Sequence, residues 1–174
     1  MVMKNKAKIE TKPFNGVRIV VHSNRTYDDV VDRLRSLMGS VTVGEIEALA
    51  KEPITEAEFT RQVEDRYVGE SGFMLFARID HGGWLPKFGI EQRAVRWIIG
   101  NPLYAITMIC HHITAGLFAP VELLVSENID GAGATVTYVR PSSLMVIEAN
   151  PPLLAAAQTL DRKLEELVAI ATDV

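Results

Sequence analysis

Apolar and polar residues alternate through Val17-Arg18-Ile19-Val20-Val21-His22, the period-two pattern of a half-buried strand. The period then lengthens. Val30, Val31, Leu34, Leu37 and Met38 form one stripe at helical spacing, with Thr26 as N-cap, Asp28 and Asp29 in the first turn and Gly39 at the end. Two shorter helices are expected on either side of Pro53, because Thr42 with Glu45 and Thr55 with Glu58 have capping-box spacing. Phe73–His81 and Arg93–Ile99 predict a second and third strand, joined through Gly82-Gly83 and a loop holding Trp84, Pro86 and Gly89. Gly100-Asn101-Pro102 then turns the chain into a short apolar helix reaching about Cys110. Val121–Glu127 and Ala134–Val139 predict a hairpin around Asn128-Ile129-Asp130-Gly131, Asp-Gly being a strong hairpin signal. Pro151-Pro152 opens a last helix, on which Leu153, Leu154, Ala157, Leu160, Leu164, Leu167 and Val168 make a continuous apolar face.

This order predicts an α+β fold: a two-layer sandwich with a mainly antiparallel sheet of about five strands and helices packed on one face. The chain reads as one domain over 1–174, with a helical elaboration at about 42–68. Strict alternation places Val17, Ile19, Val21, Leu75, Ala77, Ile79, Val95, Trp97, Ile99, Val121, Leu123, Val125, Val136 and Tyr138 toward the helices. The opposite face then carries Arg18, His22, Arg78, Asp80, Arg96, Glu122, Ser126, Thr135 and Thr137, mixed with Met74, Phe76, Ile98 and Leu124. A face of that mixed character suits a subunit interface or a ligand floor.

Composition narrows the classes of function. Hydrophobic residues make up 48% and charged residues 23% of 174, an ordinary globular balance, and a net charge of −4 argues against a general nucleic-acid binder. The single cysteine, Cys110, rules out an intrachain disulfide and a Cys-only zinc site, which fits a reducing compartment. The basic start has no apolar run behind it, so no signal peptide is expected and the expected location is cytoplasmic. Trp97–Val121 holds 25 residues without Asp, Glu, Lys or Arg, but Gly100-Asn101-Pro102, His111-His112 and Ala119-Pro120 interrupt it. That stretch is expected to be buried in the core and not in a membrane. Phosphate-loop, dinucleotide, nucleophile-elbow and zinc-protease motifs are absent, and no cofactor is predicted.

Three places could carry chemistry. At Gly100-Asn101-Pro102, Asn101 suits the N-cap and Pro102 the first helical position, so a helix N-terminus is expected just past a strand end, either as a cap alone or as a seat for an anion. At Asp80-His81-Gly82-Gly83-Trp84, His81 could act near neutral pH or simply hold the turn. Asp80 points the other way along the strand and is no local partner for it. His111 and His112 are adjacent on a helix, about 100° apart, a poor geometry for one metal ion, so no metal site is predicted there. The strand arginines Arg18, Arg78 and Arg96 could gather as an anion patch. Pairing with Asp80 and Glu122 is the more economical expectation.

Several of these segments carry a family resemblance. Phe76-Ala77-Arg78-Ile79-Asp80-His81, Ile99-Gly100-Asn101-Pro102, Ala119-Pro120-Val121-Glu122-Leu123-Leu124-Val125 and Val136-Thr137-Tyr138 before Pro141 resemble, in order, family 302 of the domains of unknown function. The resemblance covers about Phe73 to Leu144. The chain departs from the family pattern in having Ile99 where Phe is usual before Gly-Asn-Pro, and Ala119 where Leu is usual before Pro. What the resemblance implies is a two-layer sandwich similar to TATA-binding-protein-like folds, often dimeric. It implies no reaction and no DNA binding.

The leading expectation is therefore a homodimeric module that binds a small molecule or anion, with His81, Trp84, Gly100 and Asn101 as candidate ligand-binding residues. If the second and third strands pair directly, His81 and Asn101 lie a strand length apart, on the order of 20 Å. An enzyme using His81 as acid or base, helped by Glu127 or Asp80, is the first alternative. A structural or protein-interaction domain that buries Trp84 and the mixed sheet face is the second.

Overall fold

The computed structural model describes residues 8–129 and 131–174. The expected turn at Asn128–Gly131 therefore has Asp130 outside the described residues, and residues 1–7 also lie outside them. Six strands form one sheet in the order β1-β6-β5-β4-β3-β2: Arg18–Ser23 (β1), Gly39–Ser40 (β2), Met74–Asp80 (β3), Ala94–Gly100 (β4), Val121–Glu127 (β5) and Ala134–Val139 (β6). Every neighbouring pair is antiparallel except β2 with β3. The architecture is α+β, as the pattern predicts.

The sixth strand, β2, is a two-residue piece. It follows α1 (Tyr27–Leu37), whose cap is the Thr26 hydroxyl accepting from the Asp29 N–H at 3.2 Å. Gly39 there donates its N–H to the Phe73 carbonyl at 3.0 Å. Any side chain at Gly39 would place its Cβ 1.6 Å from the Tyr67 carbonyl oxygen, so glycine permits the close crossing of backbones that starts this strand.

The main helical layer packs on one face. It comprises α1, α4 (Pro102–Ile109), α5 (Pro141–Met145) and α6 (Pro151–Thr172). The core beneath it joins Val30 and Leu34 of α1 to Val95, Trp97, Ile99, Leu123, Val125 and Val136 of the sheet and to Leu164 and Leu167 of α6. Each such fully buried aliphatic side chain contributes roughly 1.5–3 kcal/mol relative to exposure. The uncharged run at 97–121 resolves into β4, α4, a 3-10 turn at Ile113–Phe118 and the start of β5. Among the described residues no helix is long and apolar enough to cross a membrane.

The helices α2 (Val43–Ala50) and α3 (Glu56–Tyr67) form a second, smaller core at the β2–β3 edge, where Val41, Leu49, Val63 and Met74 are buried together. The capping box of α2 is complete, with Thr42 and Glu45 bonding reciprocally.

Strand β3 departs from strict alternation. Leu75 pairs with Ile99, but Ala77 pairs with Ile98, so Phe76 is an extra residue in a β-bulge. A bulge shifts the period by one, and every later side chain on β3 changes face. Ala77 and Ile79, expected toward the helices, instead share the open face with Ile98 and Arg96, while Arg78 and Asp80 share the helical side with Trp97 and Val95. That correction leaves the open face more apolar than alternation predicts.

Candidate functional site

Antiparallel pairing sets the distances between candidate residues. Met74 pairs with Gly100 at one end of β3–β4, and Asp80 pairs with Val95 at the other. Six residue steps at about 3.3 Å each separate the ends by about 20 Å, so within one subunit His81 and Asn101 do not converge.

Asn101 is extended, with φ −155°, and 6% exposed. Its side-chain oxygen accepts from the Leu103 N–H at 2.8 Å, and its amide nitrogen donates to the Gly72 carbonyl at 2.9 Å. The Tyr104 and Ala105 N–H groups both donate to the Asn101 carbonyl, at 3.0 and 2.9 Å, and Pro102 has no N–H. Every donor of the first turn of α4 is thus committed to Asn101. The arrangement is a cap that also ties α4 to the loop before β3, and it leaves no donor for an anion.

Gly100 lies against Pro120. A Cβ at Gly100 would meet the Pro120 Cβ at 3.0 Å and its Cα at 3.2 Å, and the Ala119–Pro120 peptide is cis. Beside this contact is a small apolar cavity of about 160 Å³ bordered by Phe76, Ala105, Met108, Pro120 and Val121.

At the far end, the His81 and Gly82 N–H groups both donate to the Ala94 carbonyl, at 2.9 and 3.0 Å. The His81 ring stands edge-to-face on Trp84 at 5.6 Å, and Trp84 on Phe88 at 6.1 Å. Asp80 accepts from Arg78 at 3.2 Å. Glu127 accepts two bonds from Arg93, at 2.9 and 3.2 Å, and those bonds hold its carboxyl below the usual range. Both helpers considered for a His81 acid–base role are therefore engaged by arginines. Among the described residues the His81 ring has no hydrogen-bond partner.

His111 and His112 follow α4 at the surface. The His112 Nδ1 lies 2.6 Å from the Thr114 hydroxyl, and no group of three or more metal-ligating side chains forms among the described residues.

The open face of the sheet holds a wide concavity. In register, Arg18, Val139, Glu122, Ile98 and Ala77 form one row across the strands, and Val20, Thr137, Leu124, Arg96 and Ile79 form the next. Over the β1–β6–β5 part of these rows lies a groove of about 770 Å³. Leu124 and Thr137 line it from the sheet, and Leu117 and Phe118 together with Pro141 and Leu144 line it from two neighbouring elements at the end where β5 begins and β6 finishes. Arg96 meets Glu122 through its Nε at 3.1 Å and through a second, shorter contact, as cross-strand partners do. Arg78 is withdrawn by the bulge. Arg18, which also lines the groove, forms no ion pair among the described residues. The groove walls come from two elements that the hydrophobic pattern does not reveal, the turn at Ile113–Phe118 and helix α5. Pro141 at the first position of α5 is the signal that could have found the second.

The crystal structure of an uncharacterized conserved protein DUF302 from Bacillus stearothermophilus superimposes with a TM-score of 0.60, covering 88% of this chain and 97% of that one at 15% identity. A likeness at that identity speaks to the fold. No curated protein gives a significant match. The family model described as domain of unknown function DUF302 matches residues 53–171, well over half of the sequence and beyond the Phe73–Leu144 stretch that carries the resemblance. On that match, with the strand order and the Gly-Asn-Pro cap in place, the chain belongs to the DUF302 family.

Proposed function

We propose that this protein is a small-molecule-binding module and that its site is the groove on the open sheet face. The observation that carries the reading is the groove itself. Its volume of about 770 Å³ lies within the roughly 300–1,000 Å³ typical of ligand pockets, and its lining is mainly apolar with few polar groups. The cavity beside Gly100 is smaller, at about 160 Å³, and the donors at Asn101 are used within the protein. These facts favour a structural role for the Gly-Asn-Pro turn. Native mass spectrometry of the purified protein, with a thermal-shift screen of small organic molecules, tests the reading. A bound species that wild type retains and Leu124→Trp loses is the expected result. Binding that is indifferent to Leu124→Trp would move the site elsewhere.

A homodimer is the second reading, favoured by apolar residues on the same face outside the groove: Val20 is 47% and Ile79 39% exposed. Light scattering after size exclusion should then give twice the chain mass for wild type and the chain mass for Ile79→Asp. A monomer throughout the micromolar range removes the dimer and leaves the groove.

A further inference from the structure

We propose, resting on the groove reading above, that the ligand carries a single negative charge on a mainly apolar body and that Arg18 holds that charge. The groove is lined by three charged residues, Arg18, Arg96 and Glu122. Arg96 and Glu122 neutralise one another through two contacts. Arg18 sits in the same sheet row as Glu122, with Val139 between them, and forms no ion pair among the described residues. The groove thus offers one uncommitted guanidinium, whose planar fork suits a carboxylate bidentately. The Thr137 hydroxyl on the sheet can add one hydrogen bond.

Polyanions are disfavoured by the same inventory. The α4 N-terminus has spent its donors on Asn101. At the start of α5, which walls the groove, the Ser142 N–H donates to Asp161 of α6 at 2.9 Å, so that helix end already faces a carboxylate. Leu117, Phe118, Leu124 and Leu144 instead present apolar surface to the body of the ligand.

Octanoate, its neutral analogue octanamide and inorganic phosphate are suitable probes for isothermal titration against the full chain. Octanoate should bind at least tenfold more tightly than octanamide, and phosphate should give no heat. Arg18→Gln should remove the preference for the acid while leaving octanamide affinity within twofold, and Arg18→Lys should restore part of it. Arg18 is exposed, so these variants should fold, and circular dichroism checks that they do. Equal binding of acid and amide, unaffected by Arg18→Gln but abolished by Leu124→Trp, overturns the charge assignment while the groove reading stands. If neither octanoate nor octanamide binds wild type, the ligand class fails. Loss of every bound species in the native spectra as well would sink the groove reading.

Discussion

The Asn101 side chain makes two hydrogen bonds that join elements distant in sequence, one to the Leu103 N–H and one to the Gly72 carbonyl. Asn101→Ala leaves both groups without that partner in a buried setting, an expected loss of about 1–3 kcal/mol by chemical denaturation. Asn101→Ser retains a capping oxygen and should lose less. Equal losses in the two variants would show that the cap contributes nothing and the Gly72 bond everything. At Gly100, the 3.0 Å approach of a Cβ to Pro120 makes Gly100→Ala an overpacking change costing about 1–3 kcal/mol. The cap was legible in the sequence because Asn and Pro have local preferences. The approach of Pro120 was not, because it joins strands that the sequence lists twenty residues apart.

Helix α5 has Arg140 at its N-cap position, which offers no side-chain cap, and the missing acceptor is supplied by Asp161, 7% exposed, on α6. Asp161→Ala should therefore cost about 0.5–2 kcal/mol. Hydrogen exchange should show the loss first at Val146, whose N–H bonds the Ser142 carbonyl. The α2–α3 pair belongs to a core of its own, with Leu49 2% and Val63 0% exposed. Leu49→Ala should cost about 2–5 kcal/mol and deprotect α2 and α3 before β4 or α6. Uniform deprotection would mean that the two cores melt as one. The bulge at Phe76 is the element-scale feature that alternation missed. Nothing in Leu75-Phe76-Ala77 marks an extra residue, and the partner strand decides where it goes.

Over the whole molecule, ion pairs shape the acid limb of stability. Glu127 is held below its ordinary pKa of 4.5, first by its hydrogen bonds from Arg93, and Asp173 below 3.8, first by its hydrogen bond from Arg25. A lowered folded-state value means that the unfolded chain binds the proton first. Stability is therefore present above about pH 4.5 and lost as pH falls through the lowered folded values. Arg93→Gln should therefore lower stability at neutral pH and flatten part of the acid limb, the difference from wild type closing as Glu127 becomes protonated in both states. At the alkaline end, burial pushes the Tyr138 hydroxyl up to about 12. The unfolded chain then loses this proton from about pH 10, so stability declines as pH rises from there through the folded value. Tyr138→Phe should remove that decline in denaturation midpoints measured between neutral and strongly alkaline pH. A decline of unchanged slope would assign it to other groups.

Local patterns in the sequence determined much of this protein. Five strands, the caps at Thr26, Thr42, Thr55 and Asn101, and the long apolar face of α6 all appear where periodicity and capping chemistry place them, because each depends on residues within a few positions of one another. Only the tertiary structure decided that β2 exists, since Gly39 and Ser40 become a strand through bonds from the Gly39 and Val41 N–H groups to the Phe73 and Leu75 carbonyls. The same holds for the faces that Arg78 and Asp80 occupy, because a bulge is a relation between two strands. It holds also for which arginine stays uncommitted. Arg18, Arg78 and Arg96 have the same chemistry in the sequence, and the register alone gives Arg96 a partner in Glu122, turns Arg78 to the other face and leaves Arg18 at the groove.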